Sequence, residues 1–312
     1  MTRTRNERGQ VLVMTVIAMT VLLGMTALVL DVGAWFHSKR QLQATADAAA
    51  LAGAQALPDD PGTANQWAVD YANKNGGGVL GADVSITSTN MGNDTIAVTG
   101  EKTEPGFFSR ILGVDNVDVK ASAKAIVGPP AQARYVAPMV VSCKHPLIQN
   151  CNGKHTPTFN VETTLDFDPM GAPGAFGMLN LDGGNGTPGS SVEGDWILHG
   201  FDKYLPLGMY NSDPGAKFSS QQVNGALDAR IGTVLLFPVF RTLGGQGQNA
   251  QYDIIGWIGF HLDGYTTSGN NATLTGYFTE YIAQGILAGS GGAGGSNGAP
   301  SSFGVKSIQL IG

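Results

Sequence analysis

The first apolar stretch of the chain is long enough to cross a lipid bilayer. No charged residue lies between Arg8 and Asp31, and most of the 22 residues in this interval are Val, Leu, Ile, Met or Ala. A helix of that length, at ~1.5 Å per residue, matches a hydrocarbon layer of ~30 Å. Within lipid, a single segment satisfies its own backbone polar groups only as a helix, so the pattern predicts a membrane-spanning helix.

Two other interpretations of this stretch remain open. One is the buried helix of a soluble protein, and the other is a cleaved signal peptide, because Arg3, Arg5 and Arg8 form a basic region ahead of it. The stretch exceeds the ~7 to 15 apolar residues usual for a signal peptide and lacks a clean Ala-x-Ala exit, which favours a retained anchor. The three arginines also favour a cytoplasmic N terminus, although Lys39 and Arg40 on the far side weaken that argument. We therefore expect a single-pass protein of the plasma (inner) membrane, with its C-terminal domains outside the cytoplasm.

The helical spacing of apolar residues continues beyond the membrane and stops at Pro58 and Pro61, which cannot continue a helix. One helix over residues 9–57 is predicted. Its outer half is dominated by Ala and has a narrow surface, which allows close approach of another helix or a sheet. Ordinary helix propensity explains the alanines equally well. If the small residues are instead an assembly face against partner helices, that face consists of Thr20, Gly24, Ala27, Ala46, Ala50 and Gly53.

Residues 58–127 predict a small α+β layer. The predicted elements, in chain order, are a helix at 63–75, strands at 83–89 and 95–103, a short helix at 107–112 and a strand at 117–127. The first two strands alternate polar and apolar residues and flank a turn-forming segment, so they form a β-hairpin. The order α-β-β-α-β is typical of an α+β fold.

The remainder of the chain predicts a second, β-rich domain. Residues 128–134 contain adjacent prolines and break every periodic pattern, which indicates a linker. Short alternating runs separated by Gly-, Asn- and Asp-rich turns then predict a mostly antiparallel β domain over residues 135–288, with helical insertions at 192–204 and 219–231. A Gly/Ser-rich linker at 289–302 and a terminal strand at 303–312 follow. The predicted class is α+β, with a cytoplasmic N terminus at 1–8, a transmembrane and stalk helix, a small α+β domain and a β-rich domain.

Composition argues against disorder of the whole chain and against nucleic acid as a partner. Only 13% of residues are charged, while 45 are Gly and 8% are aromatic, which is typical of loop-rich β structure. The net charge is -6 and the isoelectric point is about 5.3. The few Lys and Arg residues are scattered, so they provide no positive field for collecting phosphates.

Cys143 and Cys151 are the only two cysteines of the chain. The expected topology exports them to an oxidising compartment, so a local disulfide is the first choice. Closing such a short loop stabilises by roughly 2 to 3 kcal/mol, mostly through the unfolded chain. His145 and His155 lie close by, so a zinc site and free thiols remain alternatives, although the spacing fits no familiar zinc knuckle.

No other motif indicates catalysis. Gly-rich patterns within residues 289–298 formally match a nucleotide-binding loop and a nucleophile elbow, but a Gly/Ser linker lacks the strand and helix that both require. Residues 182–186 could gather oxygens around calcium, but a turn uses the same residues. An anchored hydrolase would need a nucleophile, a base and an orienting group, and no such trio is visible. We therefore expect no enzymatic activity, cofactor, metal or small-molecule substrate.

Asp31 is the polar residue most expected to matter. A carboxylate at the end of an apolar helix must reach lipid head groups, water or a donor on a partner. Its simpler role is to mark the membrane edge.

Four groups of residues in the N-terminal region carry a resemblance to a known family. They are Glu7-Arg8-Gly9-Gln10, Leu30-Asp31-Val32-Gly33, Gln41-Leu42-Gln43 and Ala46-Asp47-Ala48-Ala49-Ala50-Leu51-Ala52. With the apolar run between them, residues 9–57 closely resemble the N-terminal segment of the TadE/TadG-like Flp pilus-assembly family. The remainder of the chain resembles the extracytoplasmic regions of that family only loosely.

The resemblance implies a membrane-anchored pilin-like or accessory component of the tight-adherence pilus machinery. Its implied partners are the lipid bilayer and other pilus-assembly membrane proteins or pilins. The implied residues of the membrane helix and assembly face are Gly24, Asp31, Gly33, Leu42, Asp47, Ala50 and Gly53. A membrane-tethered envelope or surface-binding module that is not tied to a pilus remains the alternative.

One position departs from the pilin-like members that carry a prepilin-peptidase site. Those members have Glu five residues after the Gly at which they are cut, whereas Met14 stands five residues after Gly9 here. We therefore interpret Gly9 primarily as a membrane-entry residue.

Overall fold

The computed structural model describes residues 8–153, 155–167, 175–183, 187–214, 217–246, 249–268, 271–287 and 302–311. The chain divides into two compact units. Unit 1 comprises Met1–Ile126 with Leu310–Gly312, and unit 2 comprises Val127–Gln309. A long apolar helix is followed by mixed sheets and a few shorter helices, which confirms the α+β class.

Unit 1 begins with helix α1, Arg8–Ala54, which has 47 residues and is therefore ~70 Å long at ~1.5 Å per residue. Its two halves have different surroundings. Nearly all side chains of residues 11–30 are exposed, whereas from Asp31 onward one face is buried. The exposed half has a mean hydropathy of 2.4 in its most apolar window, none of which is buried, so by length and composition it can cross a membrane.

The rest of unit 1 is a small layer packed on the outer half of α1. Its elements are α2 (Pro61–Lys74), β1 (Val84–Thr87), β2 (Thr95–Pro105), a 3₁₀ turn (Ser109–Leu112) and β3 (Asn116–Gly128). The three strands pair antiparallel in chain order, with Ile86 opposite Ile96 in the first pair and Val98 opposite Ala123 in the second. The predicted hairpin and the predicted element order are both present.

Strand β2 runs alongside α1 in the opposite direction. Near the membrane end, Asp31 contacts the loop that follows β2. Farther along the helix, the Leu42 side chain lies against Gly100, and Gly53 lies against Ile96, close to the first residue of β2. The separation of Asp31 and Gly53, 22 positions along the helix, corresponds to a rise of ~33 Å. The two ends of β2 therefore lie at very different distances from the apolar half of the helix.

Unit 2 contains two helices and most of the remaining strands. Its first elements are β4 (Pro130–Ala133), β5 (Val141–Ser142), β6 (Glu162–Phe167), β7 (Ala175–Leu179), α3 (Ser190–His199), β8 (Leu205–Pro206) and β9 (Gly208–Pro214). They are followed by α4 (Gln221–Arg230), β10 (Val234–Gly244), β11 (Gln251–Ser268), β12 (Asn271–Thr279), β13 (Tyr281–Ile282), β14 (Gly285–Leu287) and β15 (Val305–Leu310).

The main sheet of unit 2 is mostly antiparallel, as the sequence predicts. Its order is β5-β10-β11-β12-β6, with β9 also paired to β11 and β7 paired to β9. Only β5 joins it in parallel, through β10. A smaller sheet has the order β14-β4-β8, and β13 pairs in parallel with β15.

Both faces of the main sheet are buried at its centre, where β10 pairs with the first part of β11. Phe237, Phe260 and Phe278 lie in one apolar cluster, which also includes residues from α4. Trp257 lies in a second cluster together with Trp196 of α3. Because side chains alternate across a strand, the near-continuous apolar runs of β10 and β11 supply both clusters at once.

Segment 128–134 is not a free linker. Its central residues form β4, the middle strand of the smaller sheet, and the units divide at Ile126 and Val127 instead. Pro130 is tolerated because it is the first residue of the strand, where the missing N–H has little effect on the hydrogen bonds between strands. Most of the Gly/Ser-rich segment 289–302 and part of the acidic turn 182–186 lie outside the described residues.

The Asp31 anchor and the helix faces

The carboxylate of Asp31 binds α1 to the rest of unit 1, the small layer of α2 and β1–β3 that we call the head. This carboxylate is buried, with 1% of the residue exposed. Its Oδ1 accepts a hydrogen bond from the backbone N–H of Phe107 at 3.2 Å. Its Oδ2 accepts two more, from Phe108 at 2.9 Å and from Ser109 at 2.6 Å. The donors that Asp31 needs are therefore supplied by the chain itself, at the start of the 3₁₀ turn, rather than by head groups, water or a partner.

The loop that receives Asp31 is closed by its own hydrogen bonds. The Gly106 N–H donates to the Asp115 carbonyl at 2.9 Å, and the Val114 N–H donates to the Ser109 carbonyl at 3.0 Å. The Ser109 hydroxyl donates back to the Val114 carbonyl at 3.1 Å. We call residues 106–115 the anchor loop. An ionised acceptor that binds three backbone donors forms charge-assisted hydrogen bonds, which are stronger than neutral ones.

Two further contacts fix the end of β2 to the helix one and two turns after Asp31. The Trp35 indole N–H points at the Pro105 carbonyl, with 3.5 Å between the nitrogen and the oxygen. The Ser38 hydroxyl donates to Glu104 Oε1 at 2.7 Å. Lys102, at 2.9 Å, and Ser38 together hold the pKa of the Glu104 carboxyl below its ordinary value. The anchor loop and the end of β2 thus bind one face of α1 as a unit.

The small residues in the outer half of α1 pack against the rest of unit 1. Ala46 and Ala50 are fully buried, and Leu42 is 3% exposed. A Cβ added to Gly53 would lie 2.7 Å from the Ala64 carbonyl oxygen of α2. The expectation that Ala46, Ala50 and Gly53 pack against partner helices is corrected here, because these residues are used within unit 1.

Asp47 belongs to the same internal surface. Its carboxylate accepts a hydrogen bond from the Gln43 side-chain amide at 2.8 Å. The same amide nitrogen donates to the Ser122 carbonyl of β3 at 2.9 Å. Asp47 therefore orients a side chain that joins the helix to the sheet.

The apolar half of α1, and the turn directly after it, leave their small residues open. Nothing lies within 4 Å of a Cβ added to Gly24 or to Gly33. The Thr20 hydroxyl donates to the Val16 carbonyl at 2.8 Å, so this polar side chain is satisfied within the helix. Of the proposed assembly face, the part that remains available to lipid or to another helix is the part around Thr20 and Gly24, whereas Gly33 lies on the opposite side of the helix.

In unit 2, Cys143 and Cys151 form a disulfide. Both sulfurs are thereby unavailable as zinc thiolates. The ring of His145 accepts a hydrogen bond at Nδ1 from the Leu147 N–H at 3.2 Å and packs edge-on against Phe278. Among the described residues, no group of three or more His, Cys, Asp or Glu side chains is arranged to hold a metal ion.

A buried charged cluster in unit 2 was not predicted from the sequence. The Lys217 ammonium lies 3.0 Å from Glu193 Oε1 and 2.7 Å from Asp213 Oδ2, and both carboxylates are fully buried. Lys217 also donates to the Pro188 carbonyl. Burial raises the pKa of Asp213, which Lys217 only partly opposes. The one signal in the sequence is the four-residue spacing of Asp213 and Lys217, which by itself is too common to indicate a cluster.

We expect Asp31→Asn to loosen the anchor loop without unfolding α1. An amide oxygen replaces a charged acceptor, and backbone donors left without a partner cost ~1–3 kcal/mol. The amides of residues 107–109 should then exchange with solvent roughly tenfold to a hundredfold faster. Hydrogen exchange measured by mass spectrometry on the full chain in detergent checks this. Asp115→Asn is the matched control, because that side chain is 75% exposed and 3.8 Å from its partner Arg110; equal exchange in both variants would contradict the anchor.

We also expect Gly53→Ala and Gly24→Ala to differ in their effect on folding. The new methyl group at position 53 meets the backbone of α2, so overpacking should destabilise unit 1 by ~1–3 kcal/mol. The methyl group at position 24 meets no atom of the chain and improves helix propensity. Chemical denaturation followed at α2 by hydrogen exchange measures both. A stable Gly53→Ala variant would be inconsistent with the close contact.

Comparison with known proteins finds one match, and it falls on α1. The family model described as putative Flp pilus-assembly TadE/G-like matches residues 9–56. No curated protein and no solved structure matches the chain. The matched range agrees with the resemblance over residues 9–57, and nearly all of it lies in α1. Residues 9–56 of this chain are thus similar to the TadE/G-like Flp pilus-assembly family model.

Proposed function

We propose that the chain is a membrane-anchored, pilin-like or accessory component of the Flp pilus-assembly machinery. The observation that carries this proposal is that the family match and helix α1 cover nearly the same residues. The family match ends at residue 56, and α1, which contains both the apolar half and the buried stalk half, ends at Ala54. The segment that carries the family signal is therefore also the segment that can anchor the chain and that holds the head.

The division of α1 into two halves supports a specific way of associating. In the stalk half, from Asp31 to Ala54, the small residues Ala46, Ala50 and Gly53 are covered by other parts of unit 1. The membrane half has an open small-residue face around Thr20 and Gly24. In lipid, close backbone approach at small residues drives helix association. Lateral contacts with other pilus-assembly membrane proteins or pilins therefore use the membrane half of α1, residues 11–30. The folded parts of units 1 and 2 provide surfaces for protein contacts outside the bilayer.

The proposed topology has the N terminus in the cytoplasm and both units outside it. Arg3, Arg5 and Arg8 supply the positive charges that favour a cytoplasmic location. The disulfide between Cys143 and Cys151 supports export of unit 2, since disulfides persist mainly in oxidising compartments.

The proposed role is association rather than catalysis. His199 pairs with Asp195 at 2.9 Å, and His261 pairs with Asp263 at 3.0 Å. Within the described parts of the chain, neither imidazole also receives a hydrogen bond from a Ser, Thr or Cys side chain. A base and an orienting carboxylate without a nucleophile do not make an acyl-transfer site.

A photo-crosslinking experiment in the native cell tests the proposal. A photoreactive amino acid at position 24 should capture membrane proteins of the pilus-assembly machinery, because that face is open. The same amino acid at position 46 is the matched control and should react only within the chain, since Ala46 is fully buried.

Cells in which residues 11–30 are replaced by an unrelated apolar helix should keep the protein in the membrane but assemble fewer pili. Normal piliation after deletion of the whole chain would rule out the pilus role.

A cleft in unit 2 favours a second candidate function, a surface-binding module. The cleft encloses about 390 Å³ and is lined by Tyr135, Trp196, His199 and Asp202 among others. Tyr135 is 43% exposed, and its backbone has a φ of 61°, an uncommon conformation for a residue other than Gly. The Arg134 guanidinium lies 4.8 Å from the centre of its ring. An exposed aromatic ring beside charged side chains is suited to a sugar ring of an envelope or surface polymer, which offers an apolar face and hydroxyl groups.

Retention of the detergent-solubilised full chain on immobilised cell-wall polysaccharide tests this second candidate. Tyr135→Asn removes the ring with a residue that tolerates positive φ and should weaken retention about tenfold, the equivalent of ~1.4 kcal/mol. Tyr71→Asn is the control, because Tyr71 of unit 1 is also 43% exposed. Unretained wild-type protein, or equal retention of both variants, would exclude the module.

A further inference from the structure

The anchor loop exposes an unusual concentration of apolar side chains. Exposed fractions are 69% for Phe107, 44% for Phe108, 85% for Ile111 and 41% for Val114. We call these four residues the apolar belt. Single exposed apolar residues are ordinary on a protein surface, whereas a group of this kind marks an interaction site.

The hydrogen bonds of Asp31 fix the height of the apolar belt relative to the apolar half of α1. Asp31 directly follows the apolar run, and its carboxylate binds the backbone N–H groups of Phe107 and Phe108. The side chains of these two residues therefore emerge beside the last turn of that run. The rest of unit 1 extends away from this point, because β2 passes along α1 for ~33 Å toward Gly53.

The charged groups around the apolar belt suit the boundary of a bilayer. Asp31, the acidic group nearest to it along α1, is buried under three hydrogen bonds and is hidden from a lipid surface. Lys39 and Arg40 are exposed and lie ~12 Å farther along the helix axis. Arg110, within the anchor loop, has 59% of its side chain exposed, and its acidic neighbour Asp115 is 3.8 Å away. Aromatic rings at the head-group level with basic residues just beyond them are the usual arrangement at a membrane interface.

We propose that the apolar belt inserts into the head-group and acyl-chain boundary of the same bilayer that α1 crosses, on the side that carries the head. The proposal rests on the proposed membrane-anchoring function. The occupant is lipid rather than a protein partner, because the hydrogen bonds of Asp31 place the anchor loop beside the end of the apolar half of α1, the segment proposed to cross the bilayer. The protein then has two attachments to one membrane, the helix through it and the anchor loop on it. Asp31 connects them, so the head is held at a fixed orientation above the bilayer.

The depth of a fluorescent label in vesicles tests the proposal. The full chain is reconstituted in phosphatidylcholine and phosphatidylglycerol vesicles, with Ile111→Cys carrying an environment-sensitive dye. The native cysteines do not react because they form the disulfide. Met91→Cys is the matched control, since Met91 lies in the turn before β2, at the opposite end of that strand, and is 37% exposed. Spin-labelled lipids should quench the dye at position 111 several-fold more than at position 91, and quenchers placed near the head groups should act most strongly.

Each other outcome identifies what has failed. If both labels are unquenched while the protein resists extraction by alkali, the anchor stands and the insertion of the apolar belt is wrong. If alkali extracts the protein, the proposed anchoring function itself fails. If quenching or the spectral shift at position 111 appears only at high protein density, the apolar belt contacts a second copy of the chain, which overturns the proposal.

A second variant keeps the test independent of the labelled residue. In this variant the dye is attached at Val114→Cys, and Phe107 and Ile111 are both replaced by Ser. Spin-labelled lipids should then quench the dye at position 114 no more than they quench a dye at position 91. Retained quenching at position 114 in that variant would mean that the side chains of the apolar belt do not cause the insertion.

Discussion

The carboxylate of Asp31 is the constraint on which the arrangement of unit 1 depends. It stands where an apolar helix ends, and a charge at that position needs hydrogen-bond donors. The backbone of residues 107–109 supplies three of them, across sequence separations of 76, 77 and 78 residues. Their removal would leave buried donors and a buried charge without partners. The interaction therefore joins the membrane helix to the folded head and sets the height of the anchor loop.

The same helix serves two different environments, and its small residues have a different role in each. In the stalk half, Ala46, Ala50 and Gly53 let α2 and β2 approach the helix backbone closely. In the membrane half, Gly24 faces no other part of the chain. One stripe of small residues thus combines an intramolecular packing surface with a surface that is open to lipid or to another helix.

Unit 2 is stabilised by apolar packing and by a disulfide. Its sheet is covered on both faces by large apolar clusters, and the disulfide closes the segment between Cys143 and Cys151. Its buried ion cluster around Lys217 is held by two buried carboxylates, each with one oxygen that has no hydrogen-bond partner among the described residues. Because burying such charges is costly, this cluster is weak evidence of added stability. The cleft beside Tyr135 lies within this unit, so a binding role and an assembly role are compatible with one chain.

The sequence by itself determined the features that depend on local spacing. The charge-free run between Arg8 and Asp31, the helical period up to Pro58, the hairpin of β1 and β2 and the helices near Trp196 and Leu227 all follow from residues that are neighbours in the chain. The pair Cys143 and Cys151 is likewise local. The TadE/G-like segment was recognisable because it, too, is a continuous stretch, residues 9–56.

Only the tertiary structure decided which distant residues contact these locally predicted elements. The partner of Asp31, the occupant of the face around Gly53 and the cluster around Lys217 all join residues far apart in sequence, and no periodic pattern encodes such pairings. Strand β4 was missed for a related reason, since Pro130 and its neighbours have little strand propensity and are ordered by pairing with β8 and β14. Propensity acts along the chain, whereas the free energy that selects these contacts comes from burial and hydrogen bonding between distant segments.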